Sequence, residues 1–203
     1  MTLPLFNSFS RTLLAIVAIF GMVVTLSGSP AVAQVTAFKQ AVAETAASDD
    51  QVAAFYRTNN YQPLWTGEGE TFKARRAALL QALGGVELHG LAAARYDVDA
   101  LTSQMKNMRT TRDLGLVEVA LSQVFVKYAR DVQKGMLIPS EIDSGLVRKV
   151  AYRDNADYLT GLQSSGDPRA YFRALPPKSR EYLALMKEKL RLEALIQAGG
   201  WGA

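Results

Sequence analysis

Phe55-Tyr56-Arg57-Thr58-Asn59-Asn60-Tyr61-Gln62-Pro63-Leu64-Trp65 puts four aromatic rings into eleven residues. The stretch reads as the end of a helix, a polar break at Asn59-Asn60, and a short extended run. Proline pushes the residue before it out of the helical region, so Gln62 is expected to be extended. That fixes the direction of Leu64 and Trp65, back onto the helix that carries Phe55. Large aromatic side chains dominate core energetics, so the plain reading is a helix-to-loop corner with its rings inside.

Outward from this corner the pattern is helical almost everywhere. Upstream, Asp49 or Asp50 is placed to cap the helix carrying Val52, Phe55 and Tyr56. Before it, residues 34–48 form an alanine-rich stretch, either a helix or a loosely held leader. Downstream, Thr71 is expected to cap a helix from Phe72 to Leu83, stopped by Gly84-Gly85. Lys73, Arg75 and Arg76 on it read as a solvated charged face, with an acidic partner as the alternative. Asp97 starts a short helix through Leu101 and Met105.

Leu114, Val117, Leu121, Val124, Phe125, Tyr128 and Val132 recur at spacings of three and four. They mark an amphipathic helix of about six turns, from Thr110 or Thr111 to Gly135, expected to be the central strut. Leu146–Tyr152 alternates weakly and suggests a short extended segment. Asp154 precedes a helix through Tyr158 and Leu162. Asp167-Pro168 is the strongest helix start in the chain, a capping aspartate followed by proline at the first helical position. Ser179 opens the last helix, with Tyr182, Leu185, Met186, Lys189, Leu190 and Ile196 expected down one side. The predicted fold is all-α: a single irregular bundle of six to eight helices around one long helix, occupying residues 49–203.

The first 33 residues read differently. Arg11 precedes an apolar run of 14 residues, Leu13 to Leu26, shorter than the roughly 20 a spanning helix needs. Ser27-Gly28-Ser29-Pro30 breaks it, and Ala31-Val32-Ala33 is an A-x-A cleavage signature. Residues 1–33 are therefore expected to be a secretory signal cleaved after Ala33, an uncleaved anchor being the alternative. Cleavage would leave a protein outside the cytoplasm without a membrane span, carrying a formal charge of about +3 in place of +4. Such a mild excess, mixed with 19 acidic residues, does not favour nucleic-acid binding.

An ordered set of motifs carries a family resemblance. Phe-Tyr-x-x-x-x-Tyr-x-Pro-Leu-Trp is followed by Lys73 to Leu80, by His89-Gly90-Leu91 with Tyr96, and by Phe125 with Tyr128-Ala129-Arg130-Asp131. Gly135-x-x-x-Pro139, Tyr182-Leu183-x-Leu185 and Gly199-Gly200-Trp201 complete it. The set resembles the scaffold domain of the large periplasmic murein L,D-transpeptidases, over roughly residues 50–201. In that family the scaffold precedes a peptidoglycan-binding domain and a catalytic domain with a cysteine nucleophile. The resemblance implies a non-catalytic module linked to peptidoglycan cross-linking and cell-wall remodelling. It would bind peptidoglycan, or a cell-wall enzyme such as a catalytic transpeptidase domain. Exposed members of Tyr56, Tyr61 and Trp65 would then serve as its interaction surface, since aromatics anchor interfaces.

Candidate chemistry is thin. The chain has no cysteine, so it supplies no thiolate nucleophile, cysteine-zinc site or disulfide. His89 is the only histidine, and beside Gly90-Leu91 it reads as a residue that orders a turn or caps the preceding segment. Ser103-Gln104-Met105-Lys106 matches S-x-x-K, but K-T-G and S-D-N are absent. Glu68 and Glu70 lie on a glycine turn without apolar cover to raise a carboxyl pKa. No catalytic, metal or cofactor-binding residue is expected. Two further readings stay open: a general periplasmic helical adaptor, and an enzyme of unrecognised type, which would need a pocket holding His89 or a carboxylate pair.

Overall fold

The computed structural model describes residues 30–146 and 151–202. Two compact units divide the chain, Met1–Gln34 and Val35–Ala203, and the packed helices belong to the second. The expected signal lies outside the described residues, save 30–33 at the start of the first helix.

Nine α-helices and no strand occur among the described residues, which makes the fold all-α with slightly more helices than expected. They are α1 (Pro30–Ala46), α2 (Asp50–Thr58), α3 (Glu70–Gly84), α4 (Val98–Asn107), α5 (Thr111–Lys134), α6 (Pro139–Ile142), α7 (Asn155–Ser164), α8 (Pro168–Ala174) and α9 (Arg180–Gln197). Two 3-10 turns, Val86–His89 and Ala93–Arg95, link α3 to α4. No described helix is long and apolar enough to cross a membrane.

Helix boundaries follow the capping chemistry. Asp49 accepts from the backbone N–H of Gln51 and Val52, satisfying donors that the first turn leaves orphaned. Thr110 and Asp113 form a reciprocal capping box at the start of α5. Asp167 caps α8 through Ala170 N–H with Pro168 behind it, and Ser179 caps α9 through Tyr182 N–H. At α3 the expectation fails: the helix begins at Glu70 with Gly69 as its cap, at φ 101°, and Thr71 lies inside the first turn. Leu146–Tyr152 falls partly outside the described residues, and Ala151 and Tyr152 belong to no regular element.

The strut is α5. Its stripe of Val117, Leu121, Phe125, Tyr128 and Val132 is buried. Around it α2 packs on α7, α3 on α8, and both α4 and α7 on α5. The stretch read as a possible leader is helical, and Ala41, Val42 and Ala46 on it are fully buried. A Cβ built on Gly115 would lie 2.7 Å from Ala41 Cβ and 2.8 Å from the Phe38 carbonyl oxygen, so α1 and α5 touch nearly backbone to backbone there. Asn155, at the start of α7, donates to Asp49 Oδ2 (2.8 Å) and gives its own backbone N–H to Gln51 Oε1 (2.6 Å), which locks α7 to α2.

The last helix departs from this pattern. No residue of α9 is buried. Tyr182, Met186 and Lys189 are half-buried, whereas Leu185, Leu190 and Ile196, expected on the same side, are exposed.

Candidate functional site

The aromatic corner is built on a carboxyl group from α5. Glu118 is fully buried. Its Oε1 accepts the backbone N–H of Leu64 (2.6 Å), and its Oε2 accepts the N–H of Thr66 (2.8 Å) and the Thr66 hydroxyl (2.7 Å). The N–H of Trp65 is shared between the two oxygens, at 3.2 and 3.1 Å. Every one of these bonds is donated to the carboxyl, the pattern of an acceptor-only carboxylate. A loop whose N–H groups would otherwise be buried without partners is thus satisfied by one side chain.

One turn further along α5, Ser122 extends the network. Trp65 Nε1–H donates to Ser122 Oγ (2.8 Å), and Ser122 Oγ lies 2.6 Å from Tyr56 Oη, which donates to Glu118 Oε1 (2.9 Å). Counting protons fixes the direction: Tyr56 spends its single O–H on Glu118, so Ser122 donates to Tyr56. Burial and the Glu118 charge push the Tyr56 hydroxyl well above its ordinary pKa, which keeps it a donor.

The carbonyl side of the corner is held by α3. Arg75 is buried and donates to the Leu64 carbonyl (3.0 Å) and to the Gln163 carbonyl on α7 (2.9 Å). Arg76 donates to the Trp65 carbonyl. The expected solvated face of Lys73, Arg75 and Arg76 therefore reduces to Lys73, which pairs with Glu70 at 2.9 Å. Burial lowers the Arg75 pKa, and the Glu118 charge opposes that shift.

This geometry decides which members of the expected interaction surface reach solvent. Tyr56 and Trp65 are both 0% exposed, because each is drawn onto Glu118 and Ser122, so neither can face a partner. Tyr61 is half-buried and sits at φ 56°. It lines a shallow hollow of about 210 Å³ with Ala43, Ala46, Ala53 and Arg57.

His89 ends its 3-10 turn before Gly90, which takes the left-handed conformation at φ 72°. Its Nδ1 lies 2.6 Å from Tyr182 Oη, and the two rings are nearly parallel. Burial pushes the imidazole below its ordinary pKa. His89 does line a cleft, of about 320 Å³, but no acidic, serine or threonine side chain shares it. The pocket around His89 that an enzyme reading calls for is thus present, without a carboxylate beside the imidazole. No cluster of His, Asp or Glu suited to a metal ion occurs among the described residues.

Glu118 and Ser122 escape a reading of the sequence. A signal for the first is present: Glu118 stands four residues after Leu114 and three before Leu121, on the apolar stripe itself. A carboxylate in that position is either misplaced or needed.

Comparison with known families matches residues 50–188 to the family described as Scaffold domain. No curated protein and no solved structure matches the chain.

Proposed function

The chain belongs to the Scaffold domain family, and from that premise we propose that it is a non-catalytic, periplasmic helical module of the murein L,D-transpeptidase kind. It acts by binding, either to peptidoglycan or to a catalytic transpeptidase domain supplied in trans, and so serves cell-wall cross-linking and remodelling. The observation that carries this reading is the ordered motif set from Phe55 to Trp201, most of which lies within the family match. The chain contains no cysteine for thiolate attack. With Tyr56 and Trp65 inside, Tyr61 is the remaining ring of the corner for a partner or a sugar face.

Sedimentation with purified peptidoglycan sacculi across a salt series tests the proposal. Retention that survives high salt and falls in Tyr61→Ala supports recognition of the wall. Loss of retention at modest salt means only diffuse attraction of a basic protein. If the chain neither sediments with sacculi nor co-purifies with a catalytic transpeptidase domain, the cell-wall reading is wrong.

A further inference from the structure

The cleft beside His89 has a composition that the scaffold role leaves unexplained. Ala78, Ala82 and Gly85 follow one another at helical spacing on the end of α3, and their small size leaves a trough against α8. Tyr128 and Phe172, both almost fully buried, line it together with the exposed Leu88. Its volume of about 320 Å³ falls at the low end of small-ligand pockets.

Two cations stand over this apolar trough. Arg169 and Arg173 are one turn apart on α8, and both line the cleft. Arg169 is exposed and makes no hydrogen bond or ion pair among the described residues. Arg173 has only a 3.9 Å approach to Asp167, with both side chains well exposed. Such a surface pair holds little energy, so both guanidinium groups are available. Guanidinium forks match carboxylates in shape and charge.

Two neutral polar groups complete the rim. Gln81 has no hydrogen-bond partner among the described residues, and His89 keeps Nε2 free because Tyr182 occupies Nδ1. Donors and acceptors of this kind suit an amide, which a fatty acid lacks.

We propose that this cleft binds the free carboxyl-terminal residue of a peptide or protein partner. The apolar side chain fills the trough, the carboxylate meets Arg169 and Arg173, and the preceding amide meets Gln81 and His89. The proposal does not depend on the cell-wall reading, and sacculi play no part in its test.

The probe is N-acetyl-leucine, titrated into the full chain and followed by backbone amide chemical shifts. Saturable shifts are expected at Ala78, Ala82, Gly85 and Phe172, with N-acetyl-leucinamide binding about tenfold more weakly for want of the charge. The Arg169→Gln, Arg173→Gln double variant should weaken the acid by about the same factor and leave the amide unchanged, since both side chains are exposed. Absence of saturable shifts up to about 20 mM overturns the proposal. Equal binding of acid and amide overturns it too, as does a preference for decanoate, which would make the cleft a lipid site.

Discussion

The strut α5 and the last helix α9 are both amphipathic, capped helices, and they end in opposite situations. Twelve of the 24 residues of α5 are buried, and none of the 18 in α9. In α5 even polar residues go inside, because the corner supplies donors for Glu118 and Ser122 and the 3-10 segment supplies Tyr96 Oη for Asp131 at 2.9 Å. In α9 apolar residues stay outside: Leu185 is 71% exposed and Ile196 61%. Hydropathy thus predicts burial only where another element arrives to cover the face. Buried polar groups in this fold mark where the architecture is most tightly specified.

Removing Glu118 should break the contrast. Glu118→Ala leaves the N–H groups of Leu64, Trp65 and Thr66 without an acceptor, and urea unfolding should show a loss of at least about 3 kcal/mol. A loss below about 1 kcal/mol would mean that water replaces the carboxylate and that the corner is not specified from α5. Ser122→Ala is milder. It orphans the Trp65 indole N–H, for about 1–3 kcal/mol by the same measurement, with a shift in Trp fluorescence.

The link between α9 and the body gives a smaller, pH-dependent signal. Burial holds His89 below its unfolded value of 6.5. The unfolded chain therefore binds the proton more readily, so this contribution is complete above pH 6.5 and is lost as pH falls through the folded value. The ring resonance of the single histidine should titrate below 6.5 in the native chain. Tyr182→Phe should change that midpoint, and an unaltered midpoint would show that the His89–Tyr182 contact does not persist. Smallest of all, Leu185→Gln should change thermal stability by less than about 0.5 kcal/mol, the ordinary range for exposed positions. A larger loss would show that α9 packs more closely than its exposure indicates.

Most helix boundaries are legible in the sequence because their caps are local. Asp49, Thr110, Asp167 and Ser179 each act within three residues of themselves. Thr71 misleads because glycine can hold the cap position without a side chain, and Gly69 does so at a φ that favours glycine. The core placement of the corner's rings is equally legible for Phe55, Tyr56 and Trp65.

What holds the corner is not. Arg75 reads as a surface cation until the Leu64 and Gln163 carbonyls are brought to it from 11 and 88 residues away. Glu118 vanishes in a search for apolar periodicity, which passes over a charged residue on the stripe. The cleft is invisible for a related reason. Its trough depends on small side chains of α3 facing two arginines of α8, and neither helix announces a concavity alone.

The reach of Glu118 also sets an order of events during synthesis. The acceptor for residues 64–66 lies 52–54 positions later in the chain. Until α5 has been made, the aromatic corner has nothing to close upon. Its rings and amides wait in water until α5 arrives, and closure then joins pieces of the chain made at quite different moments. Fragments ending before residue 118 should therefore carry this stretch open and prone to sticking, a risk the complete chain meets only briefly.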